Sequence, residues 1–461
     1  MNNLPKVASK ISPFGGSWWE AVRHAVALIR ADKLFSTIYI AGTAVAIASA
    51  MVVAIVLNIM LADIEPEVNR SRTLYTVSSF IKESKVGEPP VLTGYCHSTE
   101  AIDSCFKKMQ CVEAVSGTSI IYNQGFVVSD MERLRSVDVL TKFCNPDFFR
   151  LYEFRFLSGR PFSEKEFRDA ESVCVITDKV AKAINLTMKD GEASLLLNQQ
   201  PFRVVGVVKE TSVLMKESTS GIYLPYRTNI LGWNLKEGDR DVSYSGHIEA
   251  RILLKKGYSQ KDFHNEFEPL RKHYEAVTSS KLGEDVSWTF RANSYYSHAA
   301  WFRFDTDNRT VPLAVNLLPP ALLMLLFLLL PAINLSGLVS NRMEARRAEM
   351  GIRKAFGAKR RKLLWEVLFE NMVLTLCGGL VGWLLSWLCI WAISENAVFL
   401  DLLTLGALHN ADVSLDFQMF FTPTLFFVCF VCCAVLNHMA AFMPAWRSLR
   451  KPIVESLNQK R

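Results

Sequence analysis

Between residues 342 and 362 the chain alternates charge with apolar bulk in an ordered way. Arg342, Arg346, Arg347, Arg353, Lys354, Lys359, Arg360 and Arg361 interleave with Glu344 and Glu349, and Met343, Met350, Ile352 and Phe356 stand among them. Such a surface is suited to seating itself in a groove of a soluble partner. Gly357 follows as a natural helix C-cap, so the segment reads as a charged helix that stops and restarts, a short rigid hairpin. Glu344, Arg346, Arg347, Glu349, Gly351, Ile352, Arg353, Lys354 and Gly357 are the residues expected to engage the partner. A plain basic anchor at a membrane face would explain the charge. It would not explain the order Glu-x-Gly-Ile-Arg-Lys-x-x-Gly-Ala.

Other chemistry is missing from these residues. No G-x-x-x-x-G-K-[ST] loop occurs, so this sequence cannot cradle nucleotide phosphates in that way, and neither G-x-S-x-G nor H-E-x-x-H is found. The histidines (His24, His97, His247, His264, His273, His298, His409 and His438) never stand four apart, which argues against a metal site. No catalytic residue, cofactor or metal is expected in this chain. Of ten cysteines, Cys96, Cys105, Cys111, Cys144 and Cys174 fall in one long polar segment. An odd number leaves at least one without a partner in the chain. A bridge among the first three is expected, its pairing open, while Cys174 in its apolar strand reads as a buried thiol.

The elements that must carry the hairpin follow from the distribution of charge. Four stretches contain no Asp, Glu, Lys or Arg: Leu34–Ala62, Thr310–Asn341, Asn371–Ser394 and Phe417–Trp446. Each exceeds the ~20 apolar residues that a helix needs to cross a bilayer. The fold class expected is therefore membrane α-helical, with four transmembrane helices and a large α+β extracytoplasmic domain inserted between the first two. Residues 1–33 carry five basic residues against two acids, 342–370 nine against four, and 447–461 five against one, whereas 395–416 carry four acids and no Lys or Arg. Lys and Arg near helix ends mark the cytoplasmic side. Both termini and the hairpin are thus expected in the cytoplasm, and the net charge of +7 is a topology signal, with no nucleic-acid partner implied.

The expected order is an interfacial amphipathic helix over 1–33, helix 1 over 34–62, the extracytoplasmic domain over 63–309, helix 2 over 310–341, the hairpin over 342–362, helix 3 over 363–394, a loop over 395–416, helix 4 over 417–446 and a tail over 447–461. Met60 spoils a cleavage site, so helix 1 reads as an anchor that stays in place. Small residues at Gly42, Ala46 and Ala50 and at Gly378 and Gly382 make faces for close helix packing, within the chain or, as expected for one of them, against a second copy. Spans one to three lack an ionisable acid or base in their cores, which counts against an ion-coupled transporter.

Within 63–309, alternation predicts strands over 72–77, 119–128, 172–177, 192–197, 202–208 and 247–254. Helices are predicted over 99–112, 179–185 and 260–277. The domain reads as α+β, with two lobes allowed.

The hairpin pattern Glu349, Gly351, Ile352, Arg353, Lys354, Gly357 and Ala358 resembles the coupling region of MacB/FtsX-type permeases of ABC transporters, the mechanotransmission group. Lys359 departs from the small hydroxyl residue frequent there. Pro444-Ala445-Trp446-Arg447-Ser448 is similar to that family's tail, and Gly159-Arg160-Pro161-Phe162 and Phe202–Val208 to its extracytoplasmic core. The resemblance implies a permease subunit in a bacterial inner membrane and, as partners, a separate ABC ATPase that binds ATP, a second permease chain and a periplasmic adaptor. The competing reading is a membrane-anchored extracytoplasmic sensor or scaffold with no ATPase.

Overall fold

The computed structural model describes residues 32–450, apart from 77–78, 85–90, 100, 120–124, 189–190, 192, 213–214, 216, 229–244, 283–284, 291, 295–312 and 395–422. The expected interfacial helix over 1–33, the 395–416 loop and nearly all of the tail lie outside the described residues. The chain divides into two compact units: Met1–Val56 with Leu318–Ile393 and Phe420–Arg461, and Leu57–Leu317 with Ser394–Met419.

The first unit is helical. Helices α1 (Lys33–Leu61), α6 (Leu313–Ala345), α8 (Arg360–Ser394) and α9 (Pro423–Arg450) are long and apolar enough to cross a membrane. A short helix, α7 (Arg347–Ala355), stands between α6 and α8. Pro319, Pro320 and Pro331 lie inside α6. Several boundaries differ from the sequence reading by three residues or more, one being the end of α9 at Arg450, past residue 446. Helix α6 runs on to Ala345, and α8 starts at Arg360, ahead of residue 363, because the backbone N–H of Leu363 already reaches the Lys359 carbonyl.

Glycine brings α8 against α1. A Cβ at Gly378 would lie 2.7 Å from Cβ of Thr43, and one at Gly382 would lie 2.7 Å from the Ala44 carbonyl oxygen. The Gly378/Gly382 face is therefore filled by helix α1 of the same chain and is not left for a second copy. Ala46 and Ala50 are buried within this chain as well, whereas a Cβ at Gly42 would meet nothing within 4 Å.

The second unit is built on a 15-stranded sheet. Its strands are β1 (Thr73–Tyr75), β2 (Ser79–Ser84), β3 (Val91–His97), β4 (Val112–Ser119), β5 (Gly125–Ser129), β6 (Ser136–Cys144), β7 (Phe156–Gly159), β8 (Val173–Thr177), β9 (Ala193–Leu197), β10 (Gln200–Val208), β11 (Ile222–Pro225), β12 (Ser245–Gly246), β13 (Ile248–Leu254), β14 (Asp285–Phe290) and β15 (Asn293–Ser294). Four helices accompany them: α2 (Phe148–Leu151), α3 (Glu164–Arg168), α4 (Asp178–Ala183) and α5 (Gln260–Leu282).

Pairing closes part of this sheet on itself. Strand β11 runs parallel to β6 and antiparallel to β8, and the path continues through β10, β9 and β5 back to β6. Strand β7 pairs with β10 on the flank of that ring, and the other strands form an open array around β13, which pairs with β1, β3 and β4. Among the described residues, strand pairing joins ring and array at Thr118 with Cys144. Two lobes are thus visible in the pairing.

Buried Phe148, Phe149, Tyr152, Phe154 and Tyr223 pack ring on ring, with centroids as close as 4.7 Å for Phe148 and Tyr152. Burying each such side chain contributes about 1.5–3 kcal/mol.

Two expectations fail here. The helix read over 99–112 is a single π-helical turn over Ala101–Cys105 and a 3-10 turn over Phe106–Lys108. The Glu266 carboxylate of α5 accepts from the backbone N–H groups of Gln110 and Cys111, so tertiary pairing takes the place of helix continuation before β4 begins. The expected disulfide is absent: all ten cysteines are free, with Cys105 and Cys111 in the same large apolar core as Cys144 and Cys174. Burial pushes the Cys105 and Cys111 thiols up to about 12, far from the thiolate that exchange requires.

Candidate functional site: the charged hairpin

Helix α6 carries its apolar pattern past Asn341 into charge, and Met343 is still buried. Arg346 then interrupts the helix (φ −93°, ψ 6°). Helicity resumes at once, since Met350 N–H donates to the Arg346 carbonyl at 3.1 Å. The far end is closed by a Schellman motif. Gly357 N–H donates to Lys354 O and Ala358 N–H to Arg353 O, both at 3.0 Å, with Gly357 at φ +87°. A residue with a Cβ is strained at that φ. The chain turns there and enters α8.

Charge fixes the hairpin from within. The Arg342 guanidinium pairs with Glu370 of α8 and lies over the Phe35 ring, 4.3 Å from its centroid. Arg346 reaches the same carboxylate at 3.2 Å and Glu349 at 3.6 Å. Arg353 bridges Glu349 at 2.7 Å and Glu366 at 3.2 Å. Arg347 pairs with Glu344 at 2.8 Å. Lys354 donates to the Leu449 carbonyl near the end of α9 at 2.7 Å. Burial, with Arg360 nearby, lowers its pKa. Met343 and Met350 sit in a buried cluster with Phe35, Tyr39, Leu363, Leu364 and Leu449.

Most residues read from sequence as a docking surface therefore brace the hairpin internally. Arg346, Arg353 and Lys354 are spent on neighbours in the chain. Arg347 and Gly351 are buried, and Glu344 and Glu349 each hold an arginine. Met343 and Met350 belong to the buried cluster, and residues two apart on a helix face different ways, so Met350 is buried while Ile352 is exposed.

What faces outward is the tip. Phe356 is 88 % exposed and Ile352 is 49 % exposed, with Ala355, Gly357, Lys359, Arg360 and Arg361 exposed around them. A large apolar ring held out by a braced turn and ringed by cations can anchor a protein contact. Glu366 and Glu370, the acidic ends of the braces, were missed in the sequence reading. Their partners lie 13 and 24 residues away along the chain for Arg353 and Arg346, beyond any helical spacing rule.

Deeper in the same unit, Thr375 of α8 gathers two other helices. Tyr39 of α1 lies 3.2 Å from its hydroxyl, and Asn437 of α9 donates to that oxygen at 3.3 Å, all three buried. His438 makes its own contact through Nδ1 to the Ala434 carbonyl at 2.7 Å.

Sequence comparison now identifies the type of protein. The model of the MacB-like periplasmic core domain matches residues 36–270, and that of the FtsX-like permease C-terminal region matches residues 321–453, a stretch that contains the hairpin. The chain belongs to the MacB/FtsX-like permeases of ABC transporters. This permease is 23% identical over 313 residues to a macrolide export ATP-binding/permease protein MacB of Pasteurella multocida, covering 68% of this chain and 42% of the relative. It is 24% identical over 390 residues to the ABC transporter permease YvrN of Bacillus subtilis, covering 78% of this chain and 85% of that one. The permease thus spans less than half the length of the MacB proteins it first matches. Among solved structures, the periplasmic region of MacB from Actinobacillus actinomycetemcomitans aligns with 52% of this chain and 95% of that one, at 15% identity and a TM-score of 0.32. Family membership together with four long apolar helices makes this permease an integral membrane protein.

Proposed function

We propose that the chain is the membrane subunit of an ABC transporter in which a separate ATPase docks on the α6–α8 hairpin. ATP-driven closure of the ATPase then pushes on α6 and α8, and the motion passes across the membrane to the sheet unit. The work done outside is export, or handling of an extracytoplasmic substrate. The macrolide export named for its relatives is one member of that class. In this reading both termini and the hairpin face the cytoplasm, the sheet unit lies outside, two copies act together, and a periplasmic adaptor is a further partner.

The observation that supports the reading is the combination of a rigidly braced turn and a bare Phe356 at its tip. A hairpin that served only as a topological anchor would need neither. Phe356 and Ile352 together present an apolar surface of the kind that seats in a groove of a partner. Its basic surround favours an acidic rim on that partner.

Co-purification from native membranes tests this. Phe356→Asp places a charge where an apolar pocket is expected and leaves every brace intact. The ATPase should be lost from the purified complex while the permease still inserts. Retention of a full complement of ATPase by Phe356→Asp would reject the docking assignment. A wild-type chain that recruits no ATPase at all would instead be the anchored sensor or scaffold.

A further inference from the structure

The last turn of α1 belongs to the sheet unit, and how it is held there is unusual. A helix ends in carbonyls that lack intrahelical donors, and α1 has no basic residue of its own in its last turn to meet them. Arg70, beyond the helix, supplies the donor. Its Nη1 donates to the Ile59 carbonyl at 2.7 Å and to the Ala62 carbonyl at 2.6 Å, while its Nε donates to Glu67 at 2.7 Å. The other oxygen of Glu67 accepts from both the N–H of Ser218, at 3.0 Å, and its hydroxyl, at 2.7 Å. Side chains of Arg70 and Glu67 are each 1 % exposed.

Ser218 is itself anchored. Its carbonyl accepts from the Tyr223 hydroxyl of β11 at 2.8 Å. The preceding residue, Glu217, holds Arg251 of β13 at 2.8 Å by its carboxylate and Lys142 of β6 at 2.6 Å by its carbonyl. Contacts thus fan out from one helix end into the closed ring, through β6 and β11, and into the open array, through β13. Backbone ties fix the intervening segment. Glu153 N–H donates to Pro66 O at 2.9 Å, and Asn69 donates to Leu151 O at 3.0 Å.

An ion pair sealed from water is a poor way to gain stability, because desolvation offsets most of the attraction and apolar packing serves as well or better. What a buried hydrogen-bonded network does supply is one defined geometry. Here it fixes the last turn of α1, within the sheet unit, to both lobes of the domain. A flexible connection at this point would absorb any displacement of α1; a directional one hands it on.

We propose that the Arg70–Glu67–Ser218 connection is the joint that delivers movement of α1 to the sheet unit, and that Arg70 and Glu67 act as positioning residues for transmission. The proposal rests on the reading of the chain as an ATPase-driven permease. The joint works by direction: rotation or axial displacement of α1 carries Glu67 and Ser218 with it, and both lobes follow.

The test is hydrogen–deuterium exchange on the full permease co-purified with its ATPase, with and without a non-hydrolysable ATP analogue, read on peptides from β6 and β13. In the wild type the nucleotide should alter exchange in these strands. Arg70→Lys keeps the charge but loses the fork that reaches two carbonyls and a carboxylate together. The nucleotide response should be lost while ATPase retention and ATP hydrolysis persist. Ser218→Ala removes one hydroxyl donor, so it folds even if Arg70→Lys does not, and should show a partial loss. Glu166→Gln weakens the pair of Glu166 on α3 with the half-exposed Arg160, outside the Arg70–Glu67–Ser218 connection, and should keep the response. Wild-type responses in Arg70→Lys and Ser218→Ala would overturn the joint, as would an equal loss in Glu166→Gln. A wild-type complex that binds ATPase and nucleotide yet shows no change outside would overturn the transmission reading and the joint together. Absence of the ATPase from the wild type would mark failure of the parent reading alone as the cause.

Discussion

Arginine and glutamate secure a helix end in two places, the hairpin around α7 and the root of α1, but the surroundings differ. Along the hairpin the rungs grade outward: Arg342 with Glu370 is nearly sealed, while Glu349 is 47 % exposed and Arg353 with Glu366 about 30 %. At the root, Arg70 and Glu67 are closed off altogether. The hairpin distributes its hold over several replaceable contacts. The root concentrates its hold in one. The same residue types therefore have opposite tolerance to change, and burial decides which.

Three measurements would break or sharpen this contrast. The largest effect is expected at the root. Arg70→Ala leaves Glu67 buried without its counter-charge, a situation that costs about 3–5 kcal/mol. Thermal unfolding of the purified full chain should register it, and a stability loss no greater than that of an outer hairpin rung would dissolve the distinction.

The second concerns His97, which extends the buried network through Thr76. The imidazole Nε2 lies 2.9 Å from the Thr76 hydroxyl, and the Thr76 carbonyl accepts from Arg251. Burial, reinforced by the positive charge of Arg251, depresses the His97 pKa from 6.5 to about 3. The unfolded chain takes up a proton near 6.5 and the folded one only near 3, so stability falls as pH drops through that window. The slope approaches about 1.4 kcal/mol per pH unit. Melting curves of the full chain across that window should show it, and His97→Gln should flatten the dependence. An unaltered slope in the variant would mean that other groups titrate.

The smallest effect belongs to the outer rung. A double-mutant cycle on Arg353 and Glu366 should give a coupling of about 0.2–1 kcal/mol, reduced by salt. A coupling of several kcal/mol would make the hairpin as brittle as the root.

How much of this could be read beforehand follows from sequence distance. The four apolar stretches, the Gly357 turn and strands β8, β9, β10 and β13 are local patterns, and each is visible in a window of a few residues. The i,i+4 pair Glu349–Arg353 is local too. The rest is not. Glu370 stands immediately before a charge-free stretch and reads as its boundary, yet it is buried and gathers two arginines. Arg70 has a partner three residues away, but Ser218, which completes the connection, lies 151 residues from Glu67. Strand β6 carries Asp138 and Lys142 among its apolar residues, and the short alternation search passes over it. Residues 99–112 have helical spacing, and only the reach of Glu266 from α5 turns them elsewhere. The hairpin was found as a place, but the roles of its residues depended on which side of α7 each one faced.

The ring of strands is sewn with unequal seams. Strands β5 with β6 and β9 with β10 are matched over five residue pairs each and β6 with β11 over four, while β8 with β11 and β5 with β9 are matched over two. A shell stitched this way, when pulled, tears where the stitches are fewest. Under a mechanical load it would open beside β11 or β9 and leave its longer hems closed.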